Sequence, residues 1–255
     1  MLQSGDKEKY FEKAKLLMEM HKNGELGGEQ MPEDENPKYP KDSKENVLYF
    51  TLPMALNYQR NSYKLWESAN MTAMDTNTVD IYSPEKVVNM SREEVQQKLV
   101  KYKVALQQNK QTDIWIKLCH TFNDHFNGDV RNLFLTNQYD IAQIKAYMLA
   151  NKKLFPYLSG NKIMNYWLYV LTQYTNLHFV NRRNISVAPD THVIQASLKL
   201  GIISEQEANS TNVQAIVAQR WEQIFEKTQY DVIDIHTPLW LWSRQGFRAI
   251  LDERN

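Results

Sequence analysis

The stretch Leu158-Ser159-Gly160-Asn161-Lys162-Ile163-Met164-Asn165-Tyr166-Trp167-Leu168-Tyr169-Val170-Leu171-Thr172-Gln173-Tyr174 decides how this chain is read. Leu158–Asn161 is a tight, small-residue turn, and Lys162–Tyr174 after it carries a helical pattern, as does Tyr139–Ala150 before it. Two helices joined by a short turn are therefore expected at the centre of the sequence. Towards the C-terminus, Asp190–Leu200 reads as a helix ended by Gly201, which suits a left-handed cap. Asn212–Phe225 follows, then a short helix near Thr237-Pro238, where Thr can cap and Pro fits the first turn. Towards the N-terminus, Asp113 opens a helix with Ile114, Leu118 and Phe122 on one face, and Gly128 follows it. Ser91-Arg92-Glu93-Glu94 is a capping box that turns Val95, Leu99 and Tyr102 inward. Val47–Trp66 is apolar enough to be largely buried. Residues 23–46, rich in Gly, Pro and acids, read as a flexible loop. Lys7–Lys22 sets Tyr10, Phe11, Ala14, Leu17 and Met18 on one stripe. No convincing alternating pattern of strand length occurs, so an all-α fold is expected.

The chain has 255 residues and a formal net charge of zero. It holds no run of eighteen apolar residues, which argues against a membrane span. The N-terminus is charged from Asp6 onward and lacks an apolar signal core, so an intracellular, soluble protein of cytoplasm or nucleoid is expected. The single cysteine, Cys119, excludes an intramolecular disulfide and a Cys-ligated cluster or zinc site, and sits in an apolar pattern as a buried thiol. The distribution of charge is uneven. Residues 1–45 carry eight Lys/Arg against eleven Asp/Glu, a balance of −3. Residues 145–200 carry seven Lys/Arg against Asp190 alone, a balance of +6, which suits a phosphate-bearing partner.

Backbone N–H groups at Leu158–Asn161 and at the following helix start can receive a phosphate without side chains. Asp190 follows Pro189 and stands where an N-cap belongs. A lone lysine or a lone capping aspartate is ordinarily structural; the combination is what carries information. A hairpin, Lys162 opening its second helix, and Pro189-Asp190-Thr191-His192-Val193 together resemble the helix-hairpin-helix DNA glycosylase superfamily. The longer Lys162-to-Asp190 spacing and the absence of cluster cysteines are most similar to the archaeal 8-oxoguanine DNA glycosylase family. The resemblance spans roughly residues 47–250. The hairpin departs from the usual Leu-Pro-Gly-x-Gly by one glycine, with Asn161, tolerant of left-handed backbone, in its place.

The resemblance implies two helical subdomains with a DNA-binding cleft between them. Residues 67–188 would form the central subdomain with the hairpin, and 1–66 plus 189–255 the other. It implies a base-excision N-glycosylase with abasic-site lyase activity, acting on duplex DNA with a damaged base as a monomer, without metal or other cofactor. Lys162 and Asp190 are then catalytic. Ser159, Gly160, Asn161 and Gln59 contact DNA, and Trp240, His236, Tyr166 and Trp167 form the base pocket. The six tryptophans all fall within helical stripes, a pattern more often of core than of pocket. Three alternatives stay open: another damaged or mispaired base on the same scaffold, a non-catalytic helical DNA-binding protein, and an unrelated helical interaction protein.

Overall fold

The computed structural model describes residues 4–27 and 30–251. Among these residues the protein is all-helical: α1 (Ser4–Lys22), α2 (Lys44–Thr51), α3 (Ser62–Met74), α4 (Pro84–Val87), α5 (Arg92–Lys101), α6 (Gln108–Phe126), α7 (Arg131–Thr136), α8 (Ile141–Ala150), α9 (Asn161–Tyr174), α10 (Thr191–Lys199), α11 (Glu205–Ala208), α12 (Val213–Phe225) and α13 (His236–Arg244). No strand occurs among them; Asp140 and Val180 form an isolated bridge. No helix is long and apolar enough to cross a membrane.

The chain divides into two compact units, residues 30–182 and residues 1–29 with 183–255, against the expected 67–188 and 1–66 with 189–255. The difference lies in residues 183–188, which fall to the other unit, and in residues 30–66, which belong to the central unit for a packing reason. Pro32–Asp34 is a short 3-10 turn that buries Glu33, and Trp66 Nε1 on α3 donates to its Oε1 at 2.8 Å. The described part of the expected flexible loop is thus irregular yet anchored, and residues 28 and 29 lie outside the described residues. Val47–Trp66 is broken into two helices because Pro53 lacks an N–H and cannot continue α2. Asn61 then restarts the chain by capping Lys64 N–H of α3.

Within the central unit α6 packs on α4 and α5, and α2 on α9. Helix α6 starts at Gln108, earlier than Asp113, because the Gln111 side chain accepts from the N–H groups of Leu106 and Gln107, at 2.6 and 3.0 Å. Cys119 on the same helix is fully buried, and burial pushes its thiol upward, away from thiolate reactivity. Ser91 caps α5 through Glu94 N–H as expected. In the other unit, α10 packs along α13, and α1 lies against α12 and α13. Trp221 Nε1 donates to Ser197 Oγ at 2.9 Å, and Tyr10 Oη to the carbonyl of Gly201 at 2.8 Å. Gly201 takes φ +77°, the left-handed cap its position called for. Helix α13 begins at His236 with no side-chain cap, so Thr237 lies inside it rather than before it.

Glu33 provides a test of the central unit. Burial raises its carboxyl from 4.5 to about 7, opposed by hydrogen bonds from Tyr166 and Trp66. A carboxyl raised by folding makes the folded state bind more protons than the unfolded state, so stability falls as pH rises from about 4.5 to about 7. A shift of that size corresponds to about 3 kcal/mol at full ionisation. Glu33→Gln should therefore melt near the native temperature at pH 4.5 and above it at pH 8. A native-minus-variant difference independent of pH would show that this carboxyl does not titrate in the way described.

Candidate functional site

The expected site residues fall on both units. In the central unit, the segment expected to form the hairpin comprises α8, a ten-residue connection (151–160) in place of the expected short turn, and α9. Gly160 occupies the N-cap of α9 with φ −66°, and the first intrahelical bond is Met164 N–H to Gly160 O at 2.8 Å. The amides of Asn161, Lys162 and Ile163 therefore lie in the helix's opening turn, and Gly160 brings no side chain to cap them. Such a turn is positive at its mouth and can take an anion. A Cβ at Gly160 would lie 3.1 Å from the carbonyl oxygen of Tyr157, a tight approach that the turn would relieve by a shift of a few tenths of an ångström. The left-handed residue of this turn is Tyr157, φ +62°, and not Asn161 as the motif suggested.

The side chains of the turn have separate tasks. Ser159 is buried and donates its hydroxyl to Phe155 O at 2.8 Å, so it serves the turn and is turned away from any ligand. Asn161 is exposed, and its Oδ1 accepts from Asn165 Nδ2 at 3.0 Å. Lys145 Nζ in turn donates to Asn165 Oδ1 at 2.9 Å, which fixes the amide's orientation. Lys162 is half-buried on the first turn of α9. Gln59 is exposed and left-handed, φ +50°, on the loop between α2 and α3.

Two pocket candidates on α9 have other roles. Trp167 is fully buried, donates from Nε1 to Thr51 Oγ1 at 3.0 Å, and packs against Phe134 with ring centroids 5.6 Å apart. It joins α9 to α2 as core, with no face open to a base. The Tyr166 hydroxyl donates to buried Glu33, and its own burial, followed by the nearby Glu33 carboxyl, holds the phenol well above its ordinary value. Tyr166 thus secures the 30–43 segment. Neither role is readable from helical periodicity, because a stripe does not reveal what packs on it.

The other unit assembles its own group. Asp190 is the N-cap of α10: Oδ1 accepts Val193 N–H at 3.0 Å, and Oδ2 accepts Trp240 Nε1–H at 3.1 Å. Each carboxylate oxygen is held by one donor, and the residue remains half-buried. Trp240, expected as a stacking surface, is 8% exposed. Its ring meets His192 edge-on at 5.3 Å, and the Arg244 guanidinium lies 5.1 Å from its centroid. His192 Nδ1 lies 3.2 Å from Ser243 Oγ, and that hydroxyl donates to Gln195 Oε1 at 3.1 Å. His236 is buried, 3% exposed. The motif string located Asp190; its lock on Trp240 and the His192–Ser243–Gln195 relay carry no sequence signal beyond the i, i+3 spacing of His192 and Gln195.

Among the described residues, no three of His, Cys, Asp and Glu are grouped closely enough to hold a metal ion. No known family model matches the chain, and comparison with curated proteins finds no match.

The two tasks available to Asp190 separate by substitution. Asp190→Asn keeps an oxygen for Val193 N–H but sets an amide NH2 against Trp240 Nε1–H, and should lose about 1–3 kcal/mol through the indole left without an acceptor. Asp190→Ala removes the cap as well and should lose about 1 kcal/mol more in urea unfolding. Equal losses in both variants would mean that the charge, and not the cap, supports α10.

Proposed function

We propose that this protein is a DNA N-glycosylase with abasic-site lyase activity, acting on an oxidised purine of the 8-oxoguanine type. The observation that supports it most is Asp190. Its carboxylate is fixed by one donor on each oxygen, at the start of a helix, in a half-buried setting. A carboxylate already oriented needs little reorganisation to stabilise a positive charge as that charge forms. The Lys162-bearing turn adds an opening suited to a backbone phosphate.

On this reading the damaged nucleotide leaves the stack so that its glycosidic bond can be reached. Cleavage of that bond builds positive charge on the sugar, which Asp190 stabilises. The Lys162 nitrogen, as the free amine, gives its lone pair to C1′ as the base departs with the bonding pair. Opening of the sugar yields a Schiff base. Loss of a C2′ proton then expels the 3′-phosphate by β-elimination, and water releases the lysine. Asp190 moves protons in these steps.

Borohydride trapping on an 8-oxoguanine duplex tests this directly. Native protein should give a covalent adduct, Lys162→Gln none, and Asp190→Asn about a hundredfold slower excision. Excision at the native rate by Lys162→Gln would remove that lysine from the chemistry. Duplex binding without excision on a panel of lesions would leave a binding protein and sink the enzymatic reading.

A further inference from the structure

Three loops of the central unit that are far apart in sequence meet at one place. Tyr58, on the loop carrying Gln59, stacks on Tyr157 of the hairpin turn with centroids 4.3 Å apart and planes 18° from parallel. Lys110, exposed on the first turn of α6, brings its ammonium within 5.3 Å of the Tyr58 ring and 4.9 Å of the Tyr157 ring. Arg60 ties in the third loop, donating to the carbonyls of Val104 and Lys103 at 2.6 and 3.2 Å. Gln111 holds that loop from the other side through Leu106 and Gln107 N–H. Residues 55–61, 102–111 and 152–162 are thereby joined.

Their composition is one-sided. These segments contain Arg60, Lys103, Lys110, Lys152, Lys153 and Lys162 and no Asp or Glu. Lys103, Lys110, Lys152 and Lys153 are exposed. Each loop also holds one non-glycine residue in left-handed conformation: Gln59 at φ +50°, Lys103 at +63° and Tyr157 at +62°. Backbone in that region persists only where its surroundings enforce it, and it gathers where a ligand is held.

We infer that the three loops form one preassembled surface for the phosphodiester backbone of duplex DNA, reaching from the hairpin to Lys103 and Lys110. The Tyr58–Tyr157 stack is the latch that sets their register. The inference rests on the DNA-binding reading and extends it to residues outside the hairpin. Lys103 and Lys110 contribute charge to the surface. Tyr58 and Tyr157 are positioning residues.

The test is duplex binding measured by fluorescence anisotropy across a range of salt, with a short duplex carrying a tetrahydrofuran abasic analogue. Replacing both Lys103 and Lys110 with Ala should lower the log–log salt slope by about 2. Tyr157→Gly tolerates the same backbone angle, so it removes the stack without adding strain. It should keep the slope, weaken binding several-fold, and speed hydrogen exchange at residues 57–61. Melting curves matching the native one would confirm that the variants fold. Native binding with an unchanged slope in the double variant would overturn this surface and leave the glycosylase reading intact. Unchanged exchange and affinity in Tyr157→Gly would overturn the latch. A native protein with no salt-dependent affinity for the duplex would overturn both readings.

Discussion

The central unit is organised around a carboxylate taken out of water. Glu33 is 1% exposed, and a buried acid is tolerable only where donors reach it or where it takes up a proton. Trp66 on α3 and Tyr166 on α9 supply the donors. Asp34, the next residue, accepts from Tyr174 Oη near the end of α9 at 2.9 Å. The 3-10 turn therefore grips α9 at two points separated by eight residues, and grips α3 at one. This fixes the helix whose first turn carries Lys162. The same contacts remove Tyr166 from any base-binding role and assign residues 30–66 to the central unit.

The other unit uses a carboxylate differently. Asp190 stays half-buried, and each oxygen takes one bond, so accepting capacity remains on both. A hydrogen bond to a charged group contributes about 1.5–3 kcal/mol, more than a neutral pair. The link from Trp240 therefore ties α13 to the cap of α10 as well as orienting the carboxylate. Glu33 and Asp190 show why burial decides the work of an acid. The first gives up its charge readily and is suited to holding structure; the second keeps contact with solvent and accepting capacity on both oxygens.

Local chemistry made part of this legible. Asp190 as a cap, Ser91 as a cap, Gly201 as a left-handed terminator and Cys119 as a buried thiol all depend on residues within one or two helical turns. What escaped reading depends on partners distant in sequence. Glu33 stands in a stretch of Gly, Pro and acids that reads as solvated, and only Trp66 and Tyr166 distinguish it from Glu35 beside it. Trp167 finds Thr51 across 116 positions, and no periodicity announces that contact. Trp240, expected as an open stacking ring, is instead largely buried and donates to the Asp190 carboxylate. Helices α8 and α9 fall close to the expected 139–150 and 162–174, but a ten-residue connection, 151–160, stands in place of the short turn at Leu158–Asn161; the left-handed residue expected at Asn161 by propensity is Tyr157, which stacks on Tyr58.

That last displacement has an energetic explanation. A left-handed tyrosine costs about 1–2 kcal/mol relative to ordinary backbone. A stacked aromatic pair returns about 0.5–1.5 kcal/mol beyond the area it buries. The two nearly cancel, so Tyr157 gives the isolated turn little net stability. Its contribution is geometric: a ring at this position reaches Tyr58, which a glycine or asparagine cannot do. Gly160, three residues on, gives the Tyr157 carbonyl room that a Cβ would tighten to 3.1 Å. The turn thus divides strain and close packing between two residues. In exchange, the turn before α9 and the loop carrying Gln59 are joined through the Tyr157 ring on Tyr58.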